Sequence, residues 1–400
     1  MLQRKLGIYP YRYGNRLTLI ESGHLFFDKL VDLIESAKEE IHFQLYIFEP
    51  DATGRIIADL LIKAAARGVK IYVVLDAYGS KNFNETWQEE FRKAGIAFYF
   101  YSPIKFGNYL HMGMRLHHKI ICVDKRHALV GGINVSNNYS QYTDEAPWLD
   151  FAVFIEGSVI IDLLQICYSV LRTVRKEEKH FWRKIKVVEK VTESEPIKAR
   201  VLQNNWLQAK FGISRQYKQK IRAAEKQITL VVSYFIPPIS LKRILKKASK
   251  RGVQVNLILG AVSDVGLVKH ASQYFYADML KSGIRLFEWN KSVLHGKLAL
   301  VDSDWMCIGS YNLNHLSDFG SIECNIEVFD DVFCQQSQSA IDEIIAKGCS
   351  KIELSQFNPG FMKWRFWYNA LCYFAVRLLL GTMFFLQHRH LKKNKYKSMV

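Results

Sequence analysis

The sequence predicts an α/β fold of two homologous halves followed by a C-terminal helical segment that associates with membranes. Strand–helix–strand patterns with near-continuous apolar strands imply parallel or mixed sheets covered by helices. The patterns occur twice: IHFQLYIFE and AAARGVKIYVVLDA (41–77) are answered by ITLVVSYFI and ASKRGVQVNLILGA (228–261). Composition then shifts after residue 360 to an apolar run flanked by basic residues. With 400 residues, 49% of them apolar, the chain has material for two or three domains.

In chain order, the first half is expected over 1–175. Its first apolar strand leads to a helix that Gly68 stops, and Gly252 stops the equivalent helix of the second half. KAGIAFYF (93–100) is matched by KSGIRLFE (281–288), and offsets of 184 to 188 residues hold across these landmarks. Residues 176–199, dense in charge and short of apolar periodicity, read as a solvated linker, with a flap against ligand or membrane as the alternative. The second half is expected over 200–345 and a membrane-associating tail over 346–400.

Within the tail, FWYNALCYFAVRLLLGTMFFL (366–386) carries one charge, Arg377. As a helix of about 31 Å it is long enough to span a bilayer. Arg377 at the centre of a span would cost about 2.5–3.5 kcal/mol. Asn369, Tyr373, Arg377 and Gly381 recur every four residues, so the expectation is an interfacial helix. That stripe would face water, with Phe366, Leu379 and Phe384 in the acyl region. A tilted span, a packed helix pair and a buried core helix are the alternatives. Lys392, Lys393, Lys395 and Lys397 would add attraction to anionic lipid.

The balance of 55 Lys and Arg against 38 acids gives a net charge of +17 and points to an anionic partner, nucleic acid or membrane. Disorder, collagen and a multi-span transporter are excluded by composition. Seven scattered cysteines without a Cys-x-x-Cys pair read as reduced thiols. The N-terminal stretch lacks an apolar core, so no signal peptide is expected.

The repeat extends to polar residues. His117, Lys119, Asp124 and Asn134 stand in the same H-x-K-x4-D-x6-G-[GS]-x-N pattern as His295, Lys297, Asp302 and Asn312. Side chains alternate along a strand, so each His and its Lys point the same way. His118 faces the other way, and Asp124 and Asp302 have opposite parity to the histidines, which suits positioning rather than substrate contact. Two lysines with Asn134, Ser310 and Asn312 suit the oxygens of a phosphodiester, and two histidines allow one to attack phosphorus while the other protonates the leaving alcohol. Neither metal nor cofactor is expected, because the lysines can supply the electrostatic part.

These residues resemble the phospholipase D superfamily over roughly 10–335. More narrowly, YRYGNRLTLIESG (11–23), LDAYGS (75–80), RLHHKIICVDKRHALVGGINVSNNY (115–139) and LHGKLALVDSDWMCIGSYNLNHLS (294–317) are similar to bacterial cardiolipin synthases of the shorter type, without paired N-terminal membrane helices. The resemblance implies a pseudo-dimer of two phospholipase-D-like halves with one shared active site. It also implies transfer of a phosphatidyl group to an alcohol through a phosphohistidine, with catalytic positions His117, Lys119, Asp124, His295, Lys297 and Asp302. It assigns Asp150 and Glu323 to orienting the imidazoles. Gly132 departs from the family's serine, Asn314 from its frequent aspartate and His118 from a common arginine.

The expected function is a cardiolipin synthase using phosphatidylglycerol, with another phospholipid donor as the alternative, at the cytoplasmic side of an inner membrane. A phospholipase D that transfers to water, or a nuclease of the superfamily, are the alternatives. Nucleic acid is not expected as a partner, since eight of the charges flank an apolar segment that a nucleic-acid binder does not need. The aromatic stretch 96–114 is expected to shelter acyl chains, or to be in part a buried strand.

Overall fold

The computed structural model describes residues 2–103, 114–175, 197–357 and 364–379. The first half contains strands β1 (Arg12–Glu21), β2 (Glu40–Leu45), β3 (Lys70–Asp76), β4 (Ala97–Tyr101), β5 (Arg115–Leu116), β6 (Lys119–Val123), β7 (His127–Gly131) and β8 (Phe151–Gly157). The second contains β9 (Ile197–Asn205), β10 (Lys210–Phe211), β11 (Gln227–Val232), β12 (Gln254–Val262), β13 (Arg285–Val293), β14 (Lys297–Val301), β15 (Trp305–Gly309), β16 (Ser321–Phe329) and β17 (Cys349–Ile352).

The first sheet runs β4-β3-β2-β6-β7-β8-β1, and the second runs β13-β12-β11-β14-β15-β16-β9 in the same order. In each, the first three strands are parallel and the rest antiparallel. The parallel strands need helical crossovers, which Ala52–Ala66 and Ile239–Lys250 supply in the two halves. Both crossovers end at the matched glycines, with φ of +91° at Gly68 and +93° at Gly252. The two sheets join where β1 pairs antiparallel with β9, and where β5 pairs parallel with β16. All seven cysteines are free thiols.

Two boundaries differ from expectation. Strand β9 begins at Ile197, inside the expected linker, because pairing with β1 and β16 claims those residues. The second half also continues past 345, through the helix Asp331–Gly348 to β17, which covers the edge of β13.

The C-terminal helix also departs from expectation. Its described part covers 364–379, and among the described residues no helix is long and apolar enough to cross a membrane. Ala370, Cys372, Tyr373 and Val376 are buried, the last three within the second half's helix-side core. Tyr373 therefore faces protein, not water: it stacks on Tyr274 with centroids 5.0 Å apart and meets Phe275 edge-on. Asn369 lies 3.3 Å from His270, so among the described residues of the expected stripe only Arg377 is exposed, and it donates back to Tyr373 OH at 3.1 Å. Gly381, Phe384, the four tail lysines, most of the 176–199 segment and residues 104–113 of the aromatic stretch lie outside the described residues.

Candidate active site

Strands β6 and β14 place Lys119 and Lys297 at their first positions, with the histidines two residues earlier. Both strands are apolar along their length because they are central and covered on both faces. Polar groups stand only at their two ends, the His-Lys pair at the first and an aspartate after the last residue. The histidine backbones are held by the opposite half: His117 N–H donates to Ile322 O at 3.1 Å and His295 N–H to Leu149 O at 2.8 Å. The residue after each carbonyl is the carboxylate that meets the ring. Glu323 lies 2.9 and 3.0 Å from His117 Nδ1, and Asp150 lies 2.6 Å from His295 Nδ1. Each imidazole is thus supported by an acid of the other half.

A carboxylate at Nδ1 holds that proton and leaves Nε2 to act on a substrate. Among the described residues neither Nε2 has a hydrogen-bond partner. Lys119 Nζ donates to His117 O at 2.7 Å, and Lys297 Nζ reaches His295 O and lies 2.9 Å from that ring's Nδ1. Burial, then the nearby Lys297, pushes the Lys119 ammonium down to about 7. Burial lowers Lys297 as well. Both histidines are lowered by burial, His295 further by Lys297 and His117 against the opposing pull of Glu323. Burial alone would raise Glu323, but His117, Lys119 and Ser310 hold it below the usual carboxylate range. These cross-half couplings define one buried centre in which two lysines stand close enough for Lys297 to depress Lys119, an arrangement that gains by receiving an anion.

The expected phosphate contacts are distributed differently. Asn312 accepts from Ser233 Oγ at 2.7 Å, and among the described residues nothing accepts from its Nδ2, which suits a phosphate oxygen. Asn134 accepts from Ile47 N–H and donates to Tyr139 OH, whose oxygen is 3.2 Å from His295 Nδ1. Ser310 is not placed as a phosphate ligand: its hydroxyl donates to Glu323 and accepts from the Cys324 amide. Gly132 stands at the equivalent place, where a Cβ would come within 2.3 Å of Asp150 Oδ1. The serine–glutamate pair of one half is matched by a glycine–aspartate pair in the other.

Asp124 and Asp302 lie at the far ends of β6 and β14, about 20 Å along the chain from the histidines. Asp124 accepts from the amides of Lys38, Glu39 and Glu40, and Asp302 from those of Glu225, Lys226 and Gln227. Both pin the entry to the first parallel strand of their half, with matched left-handed φ of +51° and +53°. They do not reach the centre, which corrects their expected catalytic placement. His118 turns away, buried, and bonds Gln44 at 2.9 Å. Asn314 caps the helix His315–Phe319 by accepting from Ser317 N–H.

Residues with no role read from the sequence also shape the site. Buried Asp76 accepts from the Leu116 amide and pairs with Arg115, fixing the approach to His117. Tyr46 packs edge-on against His117, while Tyr139, Trp148 and Tyr234 surround His295. Asp76 lies within LDAYGS, so the motif that carried a resemblance was the available signal.

Paired sheets of one topology and a composite centre of two His-Lys pairs define a phospholipase-D-like enzyme. The family described as cardiolipin synthase, PLD-like domain, matches residues 30–155 and 217–345. The chain is 31% identical to cardiolipin synthase B of Salmonella typhimurium over 92% of its length and 89% of that protein. It is 30% identical to cardiolipin synthase 1 of Staphylococcus epidermidis over 83% and 68%. The chain belongs to this cardiolipin synthase, PLD-like family. Its fold matches phosphatidylserine synthase of Haemophilus influenzae with a TM-score of 0.66 at 13% identity, covering 95% of this chain and 98% of that one.

Proposed function

We propose that the chain is a cardiolipin synthase that moves a phosphatidyl group from phosphatidylglycerol, or a similar glycerophospholipid, to a second phosphatidylglycerol. As a family member it is a phosphatidyltransferase of the phospholipase D superfamily. The observation that carries the reading is the pair of imidazoles whose Nε2 atoms have no partner among the described residues, each backed by the other half's carboxylate. By the family resemblance, the His117 Nε2 lone pair attacks phosphorus and the P–O bond to the departing glycerol breaks. His295 gives that oxygen its proton. The acceptor hydroxyl then returns a proton to His295 and attacks phosphorus, the P–N bond breaks, and His117 regains its electron pair.

Lys119, Lys297 and Asn312 are suited to the phosphate's charge, which offsets the repulsion that depresses the lysines and lets His295 hold a proton. We place the reaction at the cytoplasmic face of a membrane, since both proposed substrates are membrane lipids. Incubation of the pure protein with labelled phosphatidylglycerol tests the proposal. Cardiolipin and free glycerol are the expected products, and phosphatidic acid alone would make the chain a hydrolase.

A further inference from the structure

The two halves match in topology but not in outer charge. In the first half, the helices His24–Ser36 and Ala52–Ala66 carry three Lys or Arg and four acids. Their second-half equivalents, Gly212–Ala223 and Ile239–Lys250, carry nine and none. These two helices pack together, and Arg215, Arg222, Arg243, Lys247 and Lys250 point outward from them. Nothing in the chemistry at the strand ends requires this excess.

The C-terminal helix 364–379 lies on the same layer. Its buried face joins the core that Tyr217, Ile221, Leu241 and Leu245 form beneath the basic pair. Lys242 sits 5.2 Å from the Phe275 ring that Tyr373 also meets, and Lys218 and Arg377 both act on the charge of His315. The opposite face of the helix exposes Trp364, Trp367, Leu371 and Phe374, with Trp367 at 69%. Their spacing of three and four residues makes one apolar stripe. A large apolar stripe beside unpaired-sign charge is a surface for a partner.

We infer that this face, the stripe of helix 364–379 with the basic helices beside it, is where the protein docks on an anionic phospholipid bilayer. Indole rings favour the headgroup level, and the cations meet lipid phosphates. Lys242 and Lys246 pair with Asp278, but a second copy would still set the outward Arg215, Arg222, Arg243, Lys247 and Lys250 against their own kind, so charge selects lipid over self-association. The inference rests on the membrane-surface part of the proposed function and not on its histidine chemistry.

Co-sedimentation of the full chain with phosphatidylcholine vesicles, with and without one-third phosphatidylserine, tests it. The intact chain is expected to prefer the anionic vesicles. Trp367→Glu with Leu371→Glu should weaken binding at least tenfold, and Arg243→Glu with Lys247→Glu and Lys250→Glu should abolish the anionic preference. Lys63→Glu with Lys93→Glu, exposed on the first half, should bind as the intact chain does. Turnover of monomeric short-chain phosphatidylglycerol should be unchanged in all three variants, and its loss in the surface variants would overturn the assignment. Undiminished vesicle binding by both surface variants would also overturn it, while leaving a membrane reading intact. An intact chain that ignores both vesicle types would remove the membrane reading and the docking face together.

Discussion

His117 and Glu323 stand 206 residues apart in the chain, yet the carboxylate lies 2.9 Å from the ring's Nδ1. His295 and Asp150, 145 residues apart, repeat the relationship with the halves exchanged. Neither half alone holds a supported imidazole, so the pseudo-symmetry is functional as well as topological. Removing either acid's charge should therefore cost rate more than binding. Glu323→Gln and Asp150→Asn are each expected to lower kcat by about 10²–10⁴-fold with little change in KM. Steady-state kinetics on folded variants decides this, and an equal loss in KM alone would assign the acids to substrate binding.

Gly132 tests the same shell by crowding. A side chain there meets Asp150 Oδ1 at 2.3 Å, so restoring the family's serine should displace the acid from His295. Gly132→Ser alone is expected to lower kcat at least tenfold. Ser310→Gly in the other half removes a hydrogen bond without a clash and should cost less. Equal effects in the two variants would show that Asp150 relaxes freely.

Much of this was legible in the sequence, and the reasons are local. Strand parity put each Lys beside its His and turned His118 away, since alternation is a property of the backbone. The glycines at 68 and 252 marked helix ends because a positive φ is needed there. Partner choice was not legible. Which half's acid serves which histidine depends on how two sheets meet, and no spacing within one half encodes it. Ser310 likewise looked like a phosphate ligand until Glu323 was found to occupy its hydroxyl. The polar stripe of the tail misled because periodicity shows that residues share a face, not what that face meets. Tyr373 meets Tyr274 and Phe275.

Asp124 and Asp302 provide a contrast within one motif. Each anchors three amides at a strand entry remote from the histidines, so their loss should lower stability before it lowers turnover. Asp124→Ala and Asp302→Ala are expected to cost about 1–3 kcal/mol each, for charged hydrogen bonds that are partly exposed. Thermal denaturation should register the loss, and the folded fraction should keep most of its kcat. Abolished turnover at unchanged stability would return these residues to the centre.

Lys119 gives the pH dependence. Its ammonium, pushed down to about 7, lies below the roughly 10.4 of an unfolded lysine. Unfolding therefore takes up a proton between those values, and this group's contribution to stability rises with pH across that window. Below pH 7 the cation is charged in both states and its burial cost is fully present. Lys119→Met should accordingly be more stable than the parent near pH 6, with the difference shrinking towards pH 9. The same substitution should abolish turnover. In the parent, kcat/KM should fall as the pH rises above about 7, since the free enzyme then loses the cation that receives the phosphate. Melting curves and initial rates over pH 6–9 check both signs.

The division of labour between the histidines is the last expectation. Both rings present Nε2, but Lys297 stands 2.9 Å from His295 Nδ1, whereas Lys119 donates to the backbone carbonyl of His117. Burial and the lysines lower both imidazoles, His295 with Lys297 at its ring, and a phosphodiester anion beside the lysines would restore the capacity to carry a proton. We take His295 as the substrate-dependent proton donor and, by the family resemblance, His117 as the nucleophile. In His295→Ala, attack proceeds with a donor whose leaving group needs no proton, such as a p-nitrophenyl phosphodiester. Quenching should trap an acid-labile phosphorus–nitrogen adduct at His117, and His117→Ala should give none. An adduct at His295 in the His117→Ala protein would exchange the two roles. Absence of an adduct in both, with turnover retained, would exclude covalent catalysis by either ring.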